Sequence, residues 1–200
     1  MKLGRRIWFE TPIYHIDIPD SKEINKQLVR DILEWQTKDD GIICSNSGGW
    51  HSQTNMHELS KFKTIYTQIK SVIKELSQHL GIDLDAYKLI TSGMWANVSN
   101  KYAYNKTHNH PGDIWSCVYY VKSGENGAKI WFIDPREQAH MVPIPFKDSQ
   151  QTSAFSPQVF YAPKEGTVVV FPSWLKHEVD SNLSDETRIS ISANFHYKET

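Results

Sequence analysis

From Tyr87 onward the chain is written in short runs rich in β-branched and aromatic residues, and this pattern limits the fold more than any other feature. The runs fall at 89–98, 115–121, 128–133, 158–162, 167–172 and 188–197, with Gly, Pro, Asp and Asn between them. No helix-length periodic segment separates them. Several strands at this spacing predict an antiparallel sandwich or barrel and argue against a parallel α/β sheet.

The first half reads differently. After an apolar opening at Ile7, Trp8, Phe9, Ile13, Ile16 and Ile18, Pro19-Asp20-Ser21 supplies a turn and a candidate helix N-cap. Ile24, Leu28, Ile32 and Trp35 recur at helical spacing and predict an amphipathic helix over 21–37. Leu59, Phe62, Ile65, Tyr66, Ile69, Val72, Ile73, Leu76 and Leu80 form a longer apolar stripe, which Gly81 ends as a C′ residue. Between the two helices lies a loop at 44–55 with the tight sequence SNSGGW. The expectation is a mainly β protein with flanking α. A single domain over 1–200 would hold a mostly helical part, 1–85, buttressing a β core, 86–198.

Charge and composition narrow the partners. Across 200 residues, Lys+Arg 22 against Asp+Glu 23 leaves a formal net charge of −1. Such a balance gives no footprint for a phosphate backbone or an anionic membrane, so nucleic acid is not favoured as a partner. No apolar run approaches the roughly 18 residues of a membrane span. The N-terminal stretch lacks a continuous apolar signal region, which makes a cytoplasmic protein the expectation. Cys44 and Cys117 are then expected to be reduced thiols, because a chain this long can bury a core without staples.

Nine histidines remain to be explained. His108 and His110 stand two residues apart, and on extended backbone such residues point the same way, presenting two imidazoles to one point. Asp113 is nearby but points away unless the Pro111-Gly112 turn reverses the chain. His177 follows the 167–172 strand just past a turn. Eleven residues later an alternating strand opens, with Ile189, Ile191, Ala193 and Phe195 on one face and Arg188, Ser190, Ser192 and Asn194 on the other. If the polar face lines a cavity, Arg188 and Ser190 can clamp a carboxylate; otherwise it is a solvated sheet face.

The order H-x-H, some 67 residues, H, then eleven residues to R-x-S resembles the oxygenases that use Fe(II) and 2-oxoglutarate. The stretches around HNHPGDIWSCVYYV, AKIWFIDPR, GTVVVFPSWLKHEV and RISISANF are similar to a bacterial and phage branch of that superfamily. The likeness runs from about Trp95 to Phe195 and takes in the SNSGGWHSQTN loop. It implies a double-stranded β-helix, jelly-roll or cupin-like, with the N-terminal helices packed against it. It also implies a dioxygenase that hydroxylates an unidentified small-molecule or peptide substrate with O2 while decarboxylating 2-oxoglutarate to succinate. Carried over by position, His177 matches the distal iron ligand, Arg188 the partner of the far carboxylate of 2-oxoglutarate, and Ser190 its support. Asn97 and Tyr120 match co-substrate contacts. Tyr119 and Tyr120 face opposite ways, so only one of them can serve.

One position departs from the superfamily pattern: two residues after His108 stands His110, where Asp or Glu is usual. Three ligand sets stay open, namely His108, His110 and His177; a set in which Asp113 joins His110 and His177; and two histidines completed by water. The first is the expected one. A third imidazole in place of a carboxylate leaves the metal's charge uncancelled. The alternative function is a non-redox jelly-roll module that binds metal or carbohydrate, and Arg188 separates the two, because such a module has no need of a buried cation there. His15, His57, His79, His140 and His196 are expected to be ordinary. His51 can approach the mouth of the site, though an ordinary role is expected for it as well. Trp115, Trp131 and Trp174 are expected in the core or the pocket wall.

Overall fold

In the computed structural model, which describes residues 4, 6–124, 127–142, 144–146 and 155–200, the strand runs pair into two antiparallel sheets. The larger sheet has the order β1 (Tyr14–Asp17), β9 (Thr167–Pro172), β6 (Trp115–Lys122), β11 (Arg188–Glu199), β4 (Tyr87–Ser99) and β3 (Trp50–His51). The smaller has the order β2 (Asn46–Ser47), β5 (Tyr104–His108), β10 (His177–Val179), β7 (Ile130–Ile133) and β8 (Gln158–Tyr161). This is the antiparallel sandwich expected from the strand spacing, in the jelly-roll form that the family resemblance implies. The first half adds three things the residues did not announce: β1 pairs along β9, and the 44–55 loop supplies β2 and β3. Gly48-Gly49 reads as a hairpin turn, but its two strands go to different sheets, β2 onto β5 and β3 onto β4.

Two helices cover the outer face of the larger sheet. The first, α1 (Ser21–Gln36), starts after Asp20, which sits at φ 53, ψ 22 and makes no side-chain cap bond. The second, α2 (Lys63–His79), starts four residues later than the apolar stripe. Leu59 is extended between two short 3₁₀ turns, Met56–Glu58 and Ser60–Phe62, so it and Phe62 join the core from turns instead. At the other end Gly81, at φ 72, donates to the Gln78 carbonyl while Ile82 donates to that of Ser77, the paired bonds of a Schellman cap.

Side-chain parity on the larger sheet divides the interior in two. Outward-facing Met94, Ala96, Val98, Cys117, Tyr119, Ile189, Ile191, Ala193 and Phe195 form one cluster with Leu28 and Ile32 of α1 and Ile65, Ile69, Ile73 and Leu76 of α2. Full burial of each large side chain stabilises the fold by about 1.5–3 kcal/mol. Inward-facing Val118, Tyr120, Val169 and Phe171 meet Ile130 and Phe132 of the smaller sheet and Leu175 of the turn between β9 and β10 in a second, smaller cluster. That cluster fills only part of the space between the sheets. Among the described residues no helix is long and apolar enough to cross a membrane.

Candidate metal centre

The rest of the space between the sheets is a cavity of about 560 Å³, a size usual for ligand pockets. Its floor is the inner face of the larger sheet. The register aligns His51 with Asn97, Asn97 with Ser190, and Ser190 with Tyr120, so four strands place these residues in one cross-strand row. Arg188 stands two residues from Ser190 on the same face of β11. The start of this face is shut off from solvent: Arg188 is 2% exposed and Ser190 1%. The polar half of the β11 alternation is thus a cavity wall.

At the mouth, β5 and β10 pair with His108 opposite His177, and His110 follows on the turn, its backbone N–H donating to the Ser173 carbonyl at 2.9 Å. One nitrogen each from His108, His110 and His177 lies within 4.8 Å of the others. His108 donates from Nδ1 to the Lys106 carbonyl at 2.7 Å, and His177 donates from Nδ1 to the Leu175 carbonyl at 2.9 Å. Each bond fixes the tautomer and leaves Nε2 as a free lone pair, the arrangement that metal-bound imidazoles use. Ser45 of the β2 segment sits 3.4 Å from His108 Nε2. Burial, with the neighbouring imidazole of His108 adding to it, pushes the pKa of His110 down to about 4 and that of His177 to about 3. All three rings therefore stand neutral and ready to coordinate near pH 7.

Deeper in, three polar atoms are buried without a hydrogen-bond partner: Arg188 Nε, Tyr120 OH and Asn97 Oδ1. No carboxylate among the described residues pairs with Arg188, whose guanidinium lies 5.5 Å over the Tyr120 ring. Burial lowers the Arg188 pKa, opposed by Tyr120, yet a guanidinium remains charged. A lone buried cation costs several kcal/mol unless something anionic meets it, and a dicarboxylate between it and a metal at the histidines supplies that partner. The donor set thus fits both a transition metal and 2-oxoglutarate.

The sequence-predicted residues separate cleanly. His108, His110, His177, Asn97, Ser190 and Arg188 all line the cavity, and Tyr120, not Tyr119, faces the space between the sheets. Tyr119 points to the helices and donates to Asn25 Oδ1. Asp113 stands outside the ligand group: it accepts from Ser92 Oγ and faces His196 Nδ1 at 3.5 Å, because the turn leaves it pointing to the far side. His196 is held there too, away from the cluster. Trp115 is core, but Trp174 is 51% exposed, a correction to its expected burial. His51 is the residue that sequence reasoning undervalued. It is 5% exposed, lines the cavity and stacks on Trp95 with ring centroids 5.3 Å apart. The Gly-Gly turn before Trp50 was the available signal, since it marks a strand start there. Residues 143 and 147–154 of the 134–158 segment lie outside the described residues.

Fold and site together define a jelly-roll protein with three clustered histidines able to hold a metal ion. Residues 93–194 match the family described as "Putative 2OG-Fe(II) oxygenase", and the chain belongs to that family, whose cofactors are Fe(II) and 2-oxoglutarate. Solved structures share the fold. A prolyl-4-hydroxylase from Pseudomonas putida superposes with a TM-score of 0.65 at 13% identity, covering 93% of this chain and 92% of that one. A Trichoplax adhaerens prolyl hydroxylase, in complex with a hypoxia inducible factor peptide, gives 0.63 at 13% identity over 92% and 82% of the two chains. The epimerase SnoN from nogalamycin biosynthesis gives 0.66 at 10% identity over 92% and 76%. No curated protein sequence matches the chain.

Proposed function

We propose that the protein is a 2-oxoglutarate-dependent hydroxylase acting on a small molecule or a peptide side chain, with His108, His110 and His177 as the iron ligands. The observation that carries this reading is the pairing, in one cavity, of three neutral imidazoles with a buried arginine that no protein carboxylate satisfies. With iron, 2-oxoglutarate and O2 bound, the site supplies oxidation of a substrate C–H bond to C–OH, coupled to conversion of 2-oxoglutarate into succinate and CO2.

The chain's own residues bind and orient. Arg188 pairs through its planar fork with the carboxylate of 2-oxoglutarate remote from the metal, and Ser190 adds a hydroxyl donor to the same group. Tyr120 donates its hydroxyl, while Asn97, whose amide already donates to Ser192 Oγ at 3.4 Å, keeps only a carbonyl oxygen, an acceptor that suits a donor on the substrate or a water and not a carboxylate. Val118, Phe171 and Ile130 close the wall beside them and keep bulk water out. The proteins of like fold include a prolyl hydroxylase in complex with a peptide fragment and an epimerase of nogalamycin biosynthesis, which supports either substrate class without choosing.

The deciding experiment is anaerobic loading with Fe(II) and 2-oxoglutarate, followed by succinate assay in air. Wild type should be stabilised against heat by metal plus N-oxalylglycine and should form succinate slowly even without substrate. Arg188→Met should lose the N-oxalylglycine stabilisation while still binding metal. Stabilisation by sugars alone, with none by N-oxalylglycine, would sink the reading.

A further inference from the structure

Of the three clustered histidines, two are held by hydrogen bonds and one is not. His108 and His177 each donate from Nδ1 to the carbonyl two residues earlier, which fixes both tautomer and ring angle. The His110 ring makes no hydrogen bond among the described residues, although its backbone is tied to Ser173. A metal-binding imidazole gives its second nitrogen to a carboxylate, carbonyl or water, and since no described protein group takes that of His110, the protein's own hold on this ring is through packing.

Trp95 from β4 lies against His110, with centroids 5.7 Å apart and planes at 51°. Trp95 is itself 9% exposed and is backed by His51, nearly parallel to it at 11°. His51 in turn is anchored through Nδ1 to the Ser52 carbonyl at 2.6 Å. Ser52 is fully buried and joined twice to Ala96, its N–H donating to the Ala96 carbonyl and its Oγ accepting from the Ala96 N–H. A rigid stack thus runs from the β3–β4 ladder to the third ligand. Aromatic faces restrain a ring's tilt without naming a tautomer, so this device orients His110 but does not fix which nitrogen it presents.

We propose that Trp95, braced by His51, is the positioning residue for His110 and takes the place of the hydrogen bond that the other two ligands have. The proposal rests on the reading of His110 as a metal ligand. It explains why a fourth histidine and a tryptophan are packed together at the cavity wall.

A double-mutant cycle in Co(II) affinity tests it, read by equilibrium titration and by the visible ligand-field bands of the bound ion. Trp95→Leu keeps apolar volume without the flat face, and Trp95→Phe keeps a smaller face. In the wild-type background Trp95→Leu should weaken Co(II) binding by about 10–100-fold, the usual effect of removing a partner behind a ligand, and alter the bands. Trp95→Phe should lose distinctly less. In a His110→Asp background, where a short carboxylate needs no ring restraint, Trp95→Leu should cost less than about threefold. Equal losses in both backgrounds would show a merely structural role, and no loss in the wild-type background would overturn the proposal outright. If His110→Ala itself leaves Co(II) affinity and bands unchanged, the ligand reading falls, an outcome distinct from both. His51→Ala should reproduce a fraction of the Trp95→Leu effect, and circular dichroism confirms that each variant is folded.

Discussion

Tyr119 and Tyr120 are neighbours in β6, both are fully buried, and burial pushes both hydroxyls up to about 12, yet they belong to different regions. Tyr119 faces the helices and spends its hydroxyl on Asn25. Tyr120 faces the space between the sheets, and its hydroxyl has no hydrogen-bond partner there. The contrast holds along the whole larger sheet. Its outer face is apolar and satisfied, and it carries the stability; its inner face keeps Arg188, Asn97 and Tyr120 incompletely paired. Only a ligand completes that second face, so stability and function can be perturbed separately on alternate residues of one strand.

The largest effect tests the outer face. Phe195→Ala should cost about 3–5 kcal/mol in chemical denaturation, through lost burial and the cavity left behind. The folded fraction should bind N-oxalylglycine as wild type does, and a matching loss of affinity would erase the separation of the two faces.

Next comes pH. Burial, with the His108 imidazole beside it, pushes the His177 pKa down to about 3, well below the ordinary histidine value of about 6.5. The native state prefers the neutral ring, so the unfolded chain takes up the proton first as pH falls. Stability from this group is therefore full above about pH 6.5 and declines as pH drops toward 3, on the order of 2 kcal/mol by about pH 4.5. Denaturation of metal-free protein at pH 7 and 4.5 should show this decline, and His177→Gln should reduce it while His108 and His110, also lowered by burial, keep their share.

Arg188→Met should raise the stability of the ligand-free protein by about 1–3 kcal/mol, since it removes a buried cation with an unmet donor. A destabilised Arg188→Met would mean that the arginine is a structural member of the inner face. The smallest effect uses the tyrosine pair. Tyr119→Phe should lose about 1 kcal/mol with N-oxalylglycine affinity intact, whereas Tyr120→Phe should leave stability unchanged and weaken that affinity severalfold.

Much of this was legible because period and parity are local. The Ile-x-Ile-x-Ala-x-Phe alternation announced both faces of β11, and His108-x-His110 announced convergence. The strict alternation could not tell a solvated face from a cavity wall. That distinction needs the smaller sheet overhead, which no single strand encodes. The sequence undervalues His51 for a related reason: it lies 57 positions before His108, and only the β3–β4 register brings it to the cavity. Asp113 was left open as a ligand because the direction of the Pro111-Gly112 turn decides it, and a positive φ at Gly112 is not readable from the letters. The late start of α2 arose from Leu59, whose apolar spacing fits a helix while its backbone is extended.

The position of β11 has a consequence for how the protein is made. It is the last of the described strands to leave the ribosome, yet it lies between β6 and β4 at the middle of the larger sheet. Until it emerges, β4 and β6 each present a long unpaired edge with apolar side chains, open to capture by another chain. The cavity row then closes in one event when β11 inserts, and a dicarboxylate, which needs Arg188 and Ser190 of that strand, cannot assist any earlier stage. A slow or truncated passage through residues 188–199 is where this chain is most exposed to aggregation.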